Sequence, residues 1–112
     1  MKTSEFRRGN IVEWNRKPFV ISRIFDDSVE NELWCKPIDE IHPIPLTKEI
    51  LLKCGFEILP WGYVKKSSMD FGIRLNLKTF NYEVSGNNSV KIQYLHQLQN
   101  LYFALTNEEL KI

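Results

Sequence analysis

Short strand-like runs follow one another so closely between Glu5 and Ile38 that no long element fits there. Gly9-Asn10 punctuates a polar turn, and "NIVEW" reads as a strand. "NRKP" is the next turn, and "PFVISRIF" a second strand marked by Phe19, Ile21 and Ile24. Pro18 is tolerated at its start, because a strand's first residue need not donate to the ladder. "DDSVENE" reads as a polar loop or hairpin end, and "LWCKPI" as a third short strand. Strands in such succession form antiparallel meanders. The expected class is therefore α+β: a small curled antiparallel sheet carrying one short helix and one C-terminal amphipathic helix. An SH3-like arrangement of the N-terminal strands is one way to curl it.

"IHPIPLTKEILLKCGFE" has the clearest local signal. Pro43 and Pro45 hold the approach extended. Thr47 is placed to accept a first-turn N–H as N-cap, and Leu46 and Leu51 occupy the positions of a hydrophobic staple. Glu49 complements the helix dipole, and Gly55 after Cys54 suits a left-handed C-cap. The reading is a short helix over residues 48–54.

Strands then resume. "FEILPWGYVKK" is a bent strand or two short ones, broken at Pro60 and Gly62. "FGIRLNL" alternates, with Phe71, Ile73, Leu75 and Leu77 on one face. "FNYEV" alternates again, but its parity differs, which places a hairpin turn near Lys78-Thr79. "SGNNS" signals another turn, and "VKIQY" a last strand. The closing helix spans Tyr94 to Leu105, with Leu95, Leu98, Leu101, Tyr102 and Leu105 as its core stripe. Its other face carries His96, Gln99, Asn100 and Phe103, either buried or meeting a partner. Asn107 suits the helix stop, and "EELKI" suits a tail paired at a sheet edge.

The chain has 112 residues, which suits one domain over 1–112, and 43% hydrophobic content, enough for a core. Net charge is +1, so no global field directs it to nucleic acid or acidic membranes. Charge is nevertheless segregated. Residues 1–25 hold six cations against two carboxylates, and residues 26–40 six carboxylates against Lys36 alone. Solvated loops or a binding patch both fit that pattern. Cys35 and Cys54 lie in apolar runs and read as buried free thiols of a reducing cytosol. No signal-peptide core or membrane-length apolar run is present, so a cytoplasmic protein is expected.

Chemistry-bearing patterns are missing. Cys35, His42, Cys54 and His96 have no metal-ligand spacing, and neither cysteine sits in a thiolate-favouring place. There is no phosphate-binding glycine loop and no nucleophile elbow. A non-enzymatic chain without cofactor is expected. Nucleic acid contacts have one candidate set: Arg7, Arg8, Trp14, Arg16, Lys17 and Arg23, with Phe19 as a second aromatic. Arginines among aromatics on a small sheet suit single strands of RNA or DNA. The bland alternative makes Trp14 and Phe19 core residues.

"FRRGNIV", "PIPLTKEILLKCGFE" and "YLHQLQNLYFALTNEEL" together resemble a family of small Bacteroidetes proteins, often encoded in prophage or other mobile regions. The resemblance covers nearly the whole chain, and its last motif is the most specific. Lys48 stands where the family often has Glu, and Asn107 where it usually has Gly; the second change keeps the helix stop. No catalytic residues come with the resemblance. It implies a phage protein that binds a host nucleic-acid-handling enzyme, on the pattern of anti-CRISPR inhibitors of RNA-targeting type VI effectors. Partner contacts would then fall on His96, Gln99, Asn100 and Phe103.

Overall fold

In the computed structural model, which describes residues 2–60, 62–66, 72–83 and 89–110, Asn15 and Arg16 take φ values of 51° and 63°. They form the two-residue turn between β1 (Ile11–Trp14) and β2 (Lys17–Val20), whose twist matches that of the strands. Trp14 pairs with Lys17 and Val12 with Phe19. Pro18 lies one position beyond the turn-flanking pair, where an N–H would point away from β1, so its missing donor costs nothing there. The ladder continues past the strand ends: Ile21 N–H donates to Asn10 O at 2.9 Å. Asn10 is itself buried, and its Oδ1 accepts Arg7 N–H at 2.7 Å, closing the "RRGN" turn.

The expected second strand is in fact two. Both Ser22 N–H and Ser22 Oγ bond to Glu30 O, and the chain leaves β2 for a second sheet of order β3-β4-β5. Its strands are β3 (Arg23–Ile24), β4 (Ser28–Glu30) and β5 (Cys35–Pro37). "DDSVENE" is therefore more than a loop: it contains β4, drawn in by Val29, its one apolar residue, which is fully buried. In "LWCKPI" only Cys35–Pro37 is strand, and Leu33 and Trp34 belong to a turn. Phe6, Val12, Phe19, Ile21, Val29 and Ile41 form one core, with Trp14 and Ile38 packed on it. Each such side chain contributes about 1.5–3 kcal/mol on burial.

The short helix α1 (Lys48–Lys53) lies where expected and ends one residue earlier, with Cys54 as its C-cap. Ile50 N–H donates to Thr47 Oγ1 at 3.2 Å. At its end Gly55 N–H bonds Leu52 O and Phe56 N–H bonds Leu51 O, a Schellman pair with Gly55 at φ 91°. β6 (Glu57–Leu59), β7 (Gly62–Lys66), β8 (Gly72–Asn76), β9 (Asn81–Glu83) and β10 (Ser89–Lys91) form an antiparallel sheet of order β10-β9-β8-β7-β6. Ile73 and Leu75 are buried and Arg74 exposed, as the alternation requires. Leu77 is not on that face. Asn76 Oδ1 accepts the N–H groups of Lys78 and Thr79, which turns the chain at Leu77 and exposes it. Phe71 and most of "SGNNS" lie outside the described residues.

Helix α2 (Leu95–Thr106) stops as expected: Asn107 sits at φ 57° with its N–H on Phe103 O. Its buried face differs from the leucine stripe. Leu95, His96, Leu98, Gln99, Tyr102 and Thr106 are buried, whereas Leu101 and Leu105 are half-buried. Thr106 fits because its hydroxyl bonds Tyr102 O at 2.6 Å within the helix. Glu108–Leu110 form no strand, and Leu110 is buried as a packed residue instead.

The chain is thus α+β, as expected: the described residues form three small antiparallel sheets, one main helix and a short one. Its contacts cluster into two compact units: Met1–Pro45 with Tyr94–His96, and Leu46–Gln93 with Gln97–Ile112. Among the described residues no helix is long and apolar enough to cross a membrane.

Two glycines test this account by urea unfolding. A Cβ at Gly62 would run into the Leu75 backbone carbonyl across β7 and β8, so Gly62→Ala is expected to cost about 2–3 kcal/mol. A Cβ at Gly55 would meet only the flexible Lys65 ammonium, at 2.7 Å, and the left-handed φ should cost about 1–2 kcal/mol. A neutral Gly62→Ala, or one clearly cheaper than Gly55→Ala, would contradict the packing described.

Candidate functional site

Exposure singles out the turn between β4 and β5. Asn31 Oδ1 accepts N–H groups from Leu33 at 2.8 Å and from Trp34 at 2.6 Å. Asn31 N–H donates to Trp34 O at 2.9 Å. Three hydrogen bonds thus hold the turn rigid, as an asparagine at the head of a turn does. The turn presents Leu33 at 81% and Trp34 at 53% relative exposure, both large apolar side chains. Beside Leu33 lies a cleft of about 400 Å³ lined by Pro18, Val20, Ser22, Asn31 and Glu32. Val20, Ile24 and Phe25 add further exposed apolar surface to this unit.

Trp34 is also tied to the first hairpin. Its ring centroid is 6.3 Å from that of Trp14, with the planes 32° apart. Lys36 is the cross-strand partner of buried Val29, so it shares that residue's face. Its Nζ lies 4.1 Å from the Trp14 ring centroid and 5.1 Å from that of Trp34. The two indoles hold an ammonium by cation–π attraction, worth about 0.5–1 kcal/mol at an exposed site.

The nucleic-acid candidates are only partly brought together. Trp14, half-buried, lies at the hairpin end with Lys17 as its pair and exposed Arg16 in the turn. Arg8 is exposed in the "RRGN" turn, where Arg7 is half-buried with Nη1 3.4 Å from Arg8 O. Arg23 faces Glu30 across the β3–β4 pair at 3.9 Å. Phe19 is removed from the set: pairing with Val12 turns it into the core, and it is buried.

On the second face of α2, His96 and Gln99 are buried and Asn100 and Phe103 half-buried. His96 meets the Phe6 ring edge-on at 4.8 Å and stacks on Tyr94 at 5.9 Å. Its Nδ1 is buried without a hydrogen-bond partner. Burial pushes its pKa down, against the opposing pull of Glu5. Leu33, Trp34 and Lys36 were missed as site residues. "LW" carries the same apolar signal in an edge strand as in an exposed turn, although Asn31 was a usable turn marker.

The cysteines divide. Cys54 is buried, and desolvation raises its pKa to about 11 despite the nearby Lys65. Cys35, expected in the core, is exposed, because Lys36 takes the strand's inward position. In the folded protein at pH 8, Ellman's reagent is expected to titrate Cys35 rapidly and Cys54 only on unfolding. Two fast thiols would contradict this burial. Among the described residues no three His, Cys, Asp or Glu side chains stand together as a metal site.

His96 also sets a pH dependence. Its folded pKa lies below the unfolded value near 6.5, so the unfolded chain binds the proton more readily. The stability it allows is present above that value and is lost as pH falls below it, by at most about 1.4 kcal/mol per unit. Urea unfolding between pH 7.5 and 5.5 should show this slope in the wild type and a flatter one in His96→Gln. Parallel slopes would mean that His96 does not carry it. Comparison with protein-family models, curated proteins and solved structures finds no match for this chain.

Proposed function

We propose that the chain is a non-enzymatic protein-binding module that docks through the Leu33–Trp34 turn. The observation that carries this reading is the exposure of two large apolar side chains on a turn already held rigid by Asn31. Large apolar patches rarely stay exposed on a chain that acts alone. A pre-ordered turn loses little entropy on docking, and tryptophan is enriched among residues that dominate interface energies. The family resemblance supplies the setting: a mobile-element protein acting in the cytoplasm on a host nucleic-acid-handling enzyme, with an RNA-targeting type VI effector as first candidate. A single strand of RNA or DNA is the second reading, favoured by the paired indoles of Trp14 and Trp34 with Lys36 beside them.

The test is a parallel capture. Tagged wild type, Leu33→Ser and Trp34→Ala are incubated with purified type VI effector and with host lysate. The expected outcome is a partner retained by the wild type and lost, by about tenfold or more in affinity, in both variants. Retention by the variants would refute docking through this turn. Anisotropy of labelled single strands at low salt decides the second reading, which a flat titration would rule out.

A further inference from the structure

The Trp14–Trp34 pair already shows what chemistry it accepts, because Lys36 lays its ammonium on both rings. That contact is weak enough at an exposed position to be exchanged. The same compact unit carries a surplus of carboxylates in residues 26–40. Asp26, Asp27, Glu32, Asp39 and Glu40 are exposed and Glu30 half-buried. Among the described residues only Glu30 of these six faces a cation within ion-pair distance, Arg23 at 3.9 Å. Glu32 directly precedes Leu33, on the wall of the cleft beside it. The opposing cations of this region are Arg23, Lys36 itself and, at the tip of the first hairpin, Arg16 and Lys17.

We propose that this surface docks a basic protein surface, on which a partner arginine exchanges with Lys36 at the Trp14–Trp34 pair while Leu33 enters an apolar recess. Three features point the same way. The indole faces favour a cation, and a planar guanidinium covers them better than an ammonium does. The surplus carboxylates of residues 26–40 complement a basic partner and speed its approach. Leu33 and the cleft along Pro18 and Val20 supply the apolar share that a purely electrostatic contact lacks. Lys36 is thus an internal stand-in that keeps the site closed until a better cation arrives. The proposal rests on the protein-binding reading above and names its partner's chemistry.

Three labelled probes separate the outcomes: an eight-residue peptide alternating arginine and leucine, its glutamate–leucine counterpart, and a ten-nucleotide thymidine strand. Binding is read by anisotropy against the full chain. The arginine peptide is expected to bind and the glutamate peptide not. Trp34→Ala should weaken that binding about tenfold. Glu32→Lys, on the exposed turn, should weaken it severalfold without burdening the fold. Lys36→Met should tighten it severalfold, because the internal competitor is gone. Equal binding of both peptides, indifference to Trp34→Ala, or weaker binding on Lys36→Met overturns the proposal. So does preferential binding of the thymidine strand, which would assign the surface to nucleic acid. Capture of a partner through Leu33 and Trp34 with no response to the peptides would leave the docking reading standing and remove only the basic partner.

Discussion

The first hairpin sets the parity on which its whole unit depends. A two-residue turn at Asn15 and Arg16 permits only one alignment of β1 with β2, and that alignment turns Val12 and Phe19 to the same face. A slip by one residue would send both outward and present Glu13 and Pro18 to the core. With the register held, Ile21, Val29, Phe6 and Ile41 close over those two residues, and Trp14 sits on the margin of the same core. The exposed indole surface is a consequence of that placement. Trp14 is anchored below by packing, and Trp34 meets it from a turn.

Side-chain amides and hydroxyls, rather than long ladders, close most of the turns. Asn10, Asn31, Thr47 and Asn76 each accept a backbone N–H from a residue two or three places away. Strands of two to five residues leave many backbone groups unpaired at their ends, and these short side chains satisfy them locally. His96 stands apart from this pattern. Its Nδ1 is buried with no hydrogen-bond partner and its ring packs against those of Phe6 and Tyr94, so desolvation disfavours the charged imidazolium.

Local signals were legible where a single residue determines the backbone. Thr47 and Gly55 bounded the short helix, Asn107 ended the long one, and the parity change between Leu77 and Phe80 revealed the turn near Lys78-Thr79. Burial was less legible. Cys35 and Leu77 look like core residues in their runs, yet one faces outward in a short strand and the other leaves its strand at a turn. On α2 the leucine spacing suggested one stripe, but Gln99 and Thr106 are buried and Leu101 and Leu105 only partly so. A helix wheel ranks residues by polarity, whereas burial follows whatever neighbouring elements cover.

By itself, the sequence determined the α+β class, both helices, the caps of the short one, the stop of the long one and several of the turns. Those properties depend on φ preferences and hydrogen bonds within a few residues, and such information travels with the local sequence. Only the tertiary structure decided that "PFVISRIF" divides between two sheets, that Phe19 is core, and that Trp14, Trp34 and Lys36 meet. The last three residues are brought together by two separate strand pairings, β1 with β2 and β4 with β5. Contact between segments twenty residues apart depends on how sheets pack, and no periodicity within either segment encodes it.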